Sequence, residues 1–257
     1  MLDLHTCPDN WGIRPILFDI GGIKVYSYPF FISLALIASI VVYFLQARKE
    51  KSLNEKTFLL FIAALVGGIM GSKIPVWIAH YKEIIASFPD LRVILSGRTI
   101  VGGMIGGAIS VRLTKKYLGI KIRKGNIFAP AIALAIAVGR IGCFLRGCCY
   151  GSETNLAWGV DFGDGILRHP TQIYESAFAL FMFFALLYLK KKITEPGALF
   201  KIFMVSYFSF RFGIEFIRVN PKLIWGLNLF QLVSILVIGY YLRELKLIFK
   251  KSEVIYG

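Results

Sequence analysis

Four clusters of polar and reactive residues interrupt an otherwise apolar chain of 257 residues. The first is Gly139-Arg140-Ile141-Gly142-Cys143-Phe144-Leu145-Arg146-Gly147-Cys148-Cys149-Tyr150-Gly151. Arginine offers a planar fork of donors that suits phosphate, and glycine lets a backbone approach a ligand closely. Arg140 lies deep in the apolar run and is a candidate anion ligand, with Gly142 and Gly151 lining the same site. Arg146, nearer the end of the run, reads equally as a ligand and as an interfacial residue that snorkels to water. Cys143, Cys148 and Cys149 stand open to three readings: small buried hydrophobes, disulfide partners (including one to Cys7), or thiols activated by the arginines. A C-x(4)-C-C pattern with only His169 near it is not zinc spacing, so no metal is expected.

The second cluster runs from Tyr207 to Arg218. Tyr207, Arg211, Glu215 and Arg218 fall on one helical face, and the glutamate between two arginines neutralises part of their charge. Spare guanidinium donors remain for an anion, which makes Arg211 a second candidate ligand and Tyr207 its polar neighbour. The third cluster is Arg168-His169-Pro170-Thr171-Gln172-Ile173-Tyr174-Glu175. Pro170 marks a helix start; His169 and Glu175 are candidates for proton transfer or, equally, an interfacial cap. The fourth is the glycine run Gly102-Gly103…Gly106-Gly107. The later pair suits close helix packing, and Gly102 and Gly103 are candidates for lining a substrate path.

These residues need elements to hold them, and the composition says what kind. Hydrophobic residues make up 56% of the chain and charged residues 18%, with a mean hydropathy of +0.66. Soluble domains carry about 25% charge, so an all-α integral membrane protein is expected. Apolar runs predict about seven spans: Tyr28 to Gln46, Thr57 to Trp77, Ile100 to Leu113, Ile127 to Leu145, Tyr174 to Leu189, Ala198 to Ile217 and Ile224 to Leu242. The net charge of +15 sorts onto one face. Arg48, Lys49, Lys51 and Lys56 follow the first span; Arg112, Lys115, Lys116, Lys121, Arg123 and Lys124 close the third. Lys190, Lys191 and Lys192 follow the fifth; Arg243, Lys246, Lys250 and Lys251 follow the seventh. The positive-inside rule then puts the amino terminus outside and the carboxyl terminus in the cytoplasm. That placement also argues against nucleic-acid binding. Residues 146–172 predict a small extramembrane lobe, Ala79 to Arg98 an amphipathic or irregular segment, and residues 1–257 a single polytopic membrane domain. Met1 to Asn10 is polar and acidic, unlike a cleavable leader.

The clusters together resemble the prolipoprotein diacylglyceryl transferase family, from Tyr28 to Asn220. Gly139 to Gly151 resembles its Gly-Arg-x-Gly signature, and His169-Pro170-Thr171-Gln172-Ile173-Tyr174-Glu175 its His-Pro-Ser/Thr-Gln-Leu-Tyr-Glu stretch. Phe210-Arg211-Phe212 with Glu215-Phe216-Ile217-Arg218 resembles its late Phe-Arg-Phe…Glu-Phe-x-Arg motif, and Gly102-Gly103 the glycines of its His-Gly-Gly. The resemblance implies a multi-pass protein of the bacterial inner (cytoplasmic) membrane. It implies transfer of a diacylglyceryl group from phosphatidylglycerol to the lipobox cysteine of a prolipoprotein signal peptide. Glycerol phosphate leaves, a thioether forms, and no cofactor is involved. Arg140 and Arg211 would hold the phosphate, with Tyr28 and Tyr207 as polar partners of the head group.

The chain departs from the family pattern at four places. Val101 stands where the family has the histidine of His-Gly-Gly, Cys143 and Arg146 where the signature has asparagines, and Cys148 where it has an acid. Three readings follow. The arginines acidify the acceptor thiol without a base, His169 or Glu175 substitutes as base, or the acceptor differs. A transporter or membrane redox protein on the same scaffold is the non-enzymatic alternative.

Overall fold

A computed structural model describes residues 11–86, 88, 97–121 and 124–256, with side chains as far as residue 248. The chain divides into two compact units: one holds the described residues of Arg48–Ile122, the other those of Asp9–Ala47 and Arg123–Gly257.

The first unit is a helix pair, α2 (Glu55–Ala79) and α4 (Ile100–Tyr117), with a short α3 (Tyr81–Ala86) between them in sequence. Asn54 caps α2 by accepting the Thr57 N–H at 2.8 Å, and Thr99 caps α4 by accepting that of Gly102. The pair packs backbone to backbone. A Cβ placed on Gly71 would lie 2.5 Å from the Gly102 carbonyl oxygen, and one on Gly102 would lie 2.3 Å from that of Gly71. Gly67 and Gly106 meet in the same way. Small residues four apart bring membrane helices this close. The packing role expected of Gly106 thus extends to Gly102, whose face is filled by α2, and Gly103 also faces α2 at the Gly68 carbonyl.

The second unit opens with a ribbon, β1 (Ile16–Ile20) and β2 (Ile23–Tyr26), closed by Gly21 and Gly22 at φ +60° and +86°. A two-residue hairpin needs positive φ at both turn positions, which glycine adopts without strain. Its helices are α1 (Ser27–Lys49), α5 (Gly125–Arg146), α6 (Thr171–Leu189), α7 (Ala198–Ile214) and α8 (Leu229–Tyr256). The alanines of α5, Ala129, Ala133 and Ala137, are buried, as is Ile127. Tyr43 of α1 meets Phe128 of α5 at 4.8 Å between ring centroids, and Phe178 of α6 stacks on Phe210 of α7 at 4.2 Å. Ile37, Phe181, Phe184 and Leu236 remain exposed on the protein, as side chains that meet lipid do.

Among the described residues, α1, α2, α5 and α6 are long and apolar enough to cross a membrane. Several expected boundaries move. The sixth span ends at Ile214 rather than Ile217. The seventh starts at Leu229, because β5 (Lys222–Ile224) and β6 (Leu227–Asn228) occupy its expected beginning. The third runs on to Tyr117. The fold is mainly helical, as expected of an all-α membrane protein, and the described residues add three short two-stranded ribbons, whose Gly-rich or short polar turns carry too little apolar alternation to stand out in the sequence.

The third ribbon, β3 (Val160–Asp161) with β4 (Leu167–Arg168), lies in the expected lobe between α5 and α6. Asp161 Oδ1 accepts the backbone N–H groups of Gly163, Asp164 and Gly165, and those bonds hold its carboxyl below the usual carboxylate range. The Arg168 guanidinium does the same for Asp164 through bonds of 2.7 and 2.6 Å. Phe162 is fully buried and stacks on Tyr150.

Candidate active site

Four of the residues singled out in the sequence meet inside the second unit. Arg140 extends from α5, Glu175 from the second turn of α6, and Tyr207 and Arg211 from one face of α7. All four are buried; Arg140 is 5% exposed and Glu175 0%. Arg140 Nη2 donates to Glu175 Oε2 at 2.7 Å, and Arg211 Nη1 reaches the same oxygen at 3.1 Å. Tyr207 Oη donates to Glu175 Oε1 at 2.6 Å. One carboxylate therefore holds two guanidinium groups from two helices side by side.

A second carboxylate continues the network. Glu215, directly after α7, pairs with Arg211 Nη2 and lies 3.5 Å from Arg218 Nε. Its other oxygen accepts Asn220 Nδ2 and Asn228 Nδ2. Asn228 and Gln231 cap α8 reciprocally: each side chain accepts the other residue's backbone N–H at 3.0 Å. Gln231 and Asn228 are themselves buried. Phe230 lies under the Arg211 guanidinium at 5.5 Å.

Among the described residues, three buried guanidinium groups stand against two buried carboxylates in this network, which leaves one surplus positive charge. Removing an ion from water costs several kcal/mol even after relaxation, so a surplus buried cation is expensive unless something anionic joins it. Donors for that partner are present. Arg140 Nε, Arg211 Nε and Arg218 Nη1 are buried with no hydrogen-bond partner among the described residues. An unmade bond at a buried charged donor is rare in a native fold, and guanidinium donors bond most strongly to anionic groups.

The signature loop is fastened to this network. Helix α5 ends in a Schellman turn: Gly147 adopts φ +73°, its N–H reaches the Phe144 carbonyl, and the Cys148 N–H reaches the Cys143 carbonyl at 3.1 Å. The next two carbonyls accept side chains from the first turn of α6. Gln172 Nε2 donates to Cys148 O and Thr171 Oγ1 to Cys149 O, each at 2.7 Å. Gly142 lets the first turn of α1 close onto α5; a Cβ there would lie 2.8 Å from the Phe31 Cβ. Gly151 sits where Ile217, His169 and Thr171 converge, and it pairs with Arg218 in an isolated antiparallel bridge. Tyr28 packs on Cys143, Cys148 and Cys149, all three of which are free thiols. Cys7 lies outside the described residues.

The other sequence candidates take no part in the ion pairs described above. Arg146 is six residues beyond Arg140, a rotation of about 120° around α5. His169 Nδ1 lies 3.4 Å from Tyr174 Oη, which in turn accepts the Trp158 indole N–H. Gly102 and Gly103 belong to the other unit. The residues that sequence reasoning passed over are Asn220, Asn228 and Gln231. For Asn228 and Gln231 the signal was present, since Asn-x-x-Gln at the start of an apolar run is a cap pattern.

The profile of the prolipoprotein diacylglyceryl transferase family matches residues 15–243. A phosphatidylglycerol–prolipoprotein diacylglyceryl transferase of Clostridium tetani is 36% identical over 217 residues, covering 82% of this chain and 87% of its own. The second such transferase of Clostridium perfringens is 35% identical over 237 residues, covering 88% and 92%. That of Dehalococcoides mccartyi (strain ATCC BAA-2266 / KCTC 15142 / 195) is 31% identical over 241 residues, covering 88% and 90%. With its buried arginine pair, its signature loop and a match across nearly its whole length, the chain belongs to the prolipoprotein diacylglyceryl transferase family.

Proposed function

We propose that this chain transfers the diacylglyceryl group of phosphatidylglycerol to the cysteine thiol of a lipobox-bearing signal peptide, at the arginine network around Glu175. The observation that carries the reading is the surplus positive charge of that network, with its unpartnered buried donors. Arg140 and Arg211 grip the phosphate, and Tyr28 and the glycine-closed turn at Gly142 flank the head group. Glu175 is a positioning residue. Its oxygens are engaged by two guanidinium groups and a phenol, so it sets the spacing of the arginines rather than serving as a free base.

The acceptor thiolate attacks the glycerol carbon that carries the phosphate. The C–O bond breaks, the C–S bond forms, and glycerol phosphate departs with the bonding electron pair. The extra negative charge develops on the phosphate oxygens, where preorganised donors in a dry site stabilise it most. The departing phosphate accepts the proton that the thiol gives up, so no separate side-chain base is required and Val101 is no obstacle. The surplus cation favours the thiolate for the same reason that arginine neighbours depress thiol pKa values.

The protein works in the bacterial cytoplasmic membrane as one polytopic domain. It has seven spans and an outward amino terminus. The long helices α1, α2, α4, α5, α6, α7 and α8 support that count, and the clustering of Lys and Arg after the odd-numbered spans supports the orientation. The test is lipidation of a synthetic lipobox peptide by the purified protein in phosphatidylglycerol vesicles. The reading requires a diacylglyceryl mass gain on the peptide cysteine. No gain, or an equal gain from phosphatidylcholine, overturns it.

A further inference from the structure

Cys143, Cys148 and Cys149 form a buried, packed cluster of free thiols at the end of the helix that carries Arg140. The transfer reaction uses none of them. They are also not a relay for the lipid: a diacylglyceryl group on a cysteine would be a thioether, and a thioether sulfur is too poor a leaving group to hand it on. Nor do they, with any neighbouring His, Asp or Glu among the described residues, make a group that could hold a metal ion.

Their backbone setting points to another chemistry. In a Schellman turn the side chains of the third-last helical residue and of the second residue past the helix touch, and an apolar pair usually fills those places. Here the two places are Cys143 and Cys148. The N–H to carbonyl bond of 3.1 Å between them keeps their Cα atoms within about 7 Å, the reach of a disulfide. The Cys148 Sγ lies 3.6 Å from the Cys143 carbonyl oxygen, turned back over the helix end. Cys149, at φ +63°, is the third thiol against the pair and can reopen a disulfide by exchange.

We propose that Cys143 and Cys148 are a reversible thiol–disulfide pair that lowers transferase activity when oxidised by a lipid-soluble quinone. This rests on the transferase reading for its effect, though not for its chemistry. Two thiols lose two protons and two electrons, an S–S bond forms, and the quinone becomes the quinol. The thiols are buried at the end of an apolar helix, so an apolar two-electron oxidant suits them better than a folded protein. The link to the active site is structural. Closing the bond draws the two sulfurs to about 2.05 Å and moves the Cys148 and Cys149 carbonyls. Those carbonyls are held by Gln172 and Thr171, about one turn ahead of Glu175. Arg140 lies one turn before Cys143. Oxidation therefore shifts the two elements that bring Arg140 onto Glu175.

The experiment incubates the full-length protein in phosphatidylglycerol nanodiscs with duroquinone, whose substituted ring cannot be alkylated by thiols. The pair is read by intact mass and peptide mapping after alkylation. The expected result is a loss of two hydrogens mapped to a Cys143–Cys148 link, with at least a fivefold fall in peptide lipidation. Dithiothreitol restores activity, and Cys148→Ser keeps the basal rate and ignores duroquinone. Four alkylated cysteines after denaturation, a link involving Cys7, or a Cys143–Cys148 bond with unchanged activity would overturn the proposal. If the reduced protein lipidates nothing, the transferase reading fails, and the mass map still decides whether the pair exists.

Discussion

Arg140→Ala separates the two jobs proposed for the network, holding the fold and holding an anion. In the parent, Glu175 Oε2 is shared by Arg140 at 2.7 Å and Arg211 at 3.1 Å, while Oε1 accepts Tyr207. Removing Arg140 leaves Glu175 with Arg211 and Tyr207, so the buried carboxylate stays compensated and the protein folds. The charge balance changes more than the packing: two guanidinium groups now face two carboxylates, and the surplus positive charge is gone. One unit charge about 4 Å from a phosphate contributes about 4 kcal/mol at an effective dielectric constant near 20. Loss of one preorganised donor in such sites costs about 2.7–4 kcal/mol in the transition state. At about 1.4 kcal/mol per decade, kcat/KM for the lipobox peptide should fall about 10²–10³-fold. Arg140→Lys keeps the charge but loses the fork, and its loss should stay within about tenfold. Peptide lipidation followed by mass spectrometry, with a thermal melt in detergent for each variant, reads both jobs. An Arg140→Ala protein that keeps its Tm and works within about threefold of the parent would refute the reasoning.

Glu175→Gln should be the more damaging change to the fold. It leaves Arg140 and Arg211 buried without their shared anion, at a cost of about 3–5 kcal/mol, seen as a Tm well below that of Arg140→Ala. Gly142→Ala should weaken the seating of α1 on α5, because the new methyl would lie 2.8 Å from the Phe31 Cβ; a loss of about 1–3 kcal/mol is expected from denaturant melts. Asp161→Asn should destabilise the lobe at neutral pH. The native carboxyl is held below its ordinary value of 3.8, so its contribution is present above that pH and lost as the pH falls through the lowered pKa. The difference in amide protection between parent and variant at Gly163 and Gly165 should therefore shrink in acid.

Much of the site was legible because buried charge is conspicuous in an apolar chain. Arg140 and Arg211 each interrupt a run of hydrophobic residues, Glu175 closes a polar cluster at a helix start, and an ionisable group inside a span seldom lacks a function or a partner. Their convergence on one carboxylate oxygen was not legible, since it depends on the rotation of three helices. Glu215 read as a member of a continuous helical face, yet α7 stops at Ile214. Glu215 then binds Asn220 and Asn228 from the segment that follows. The stretch 224–228 read as the start of a span because Ile224, Trp225 and Leu227 are apolar. Positive φ at Trp225 and Gly226 makes it a hairpin instead. Gly102 shows the reverse limit: glycine spacing tells that something approaches closely, and only packing tells that the visitor is the backbone of α2. The two functions of the Gln172 and Thr171 side chains, as helix start and as anchors of the cysteine loop, also needed coordinates.

The account rests on two buried arginines closing on one phosphate, and a structure of the protein in phosphatidylglycerol nanodiscs tests that directly. The account predicts a lipid phosphate with oxygens about 2.7–3.1 Å from Arg140 Nε and Arg211 Nε, while Glu175 keeps its hold on the other edges of both guanidinium groups. A head group bound elsewhere, with those two nitrogens still unpartnered, would contradict it.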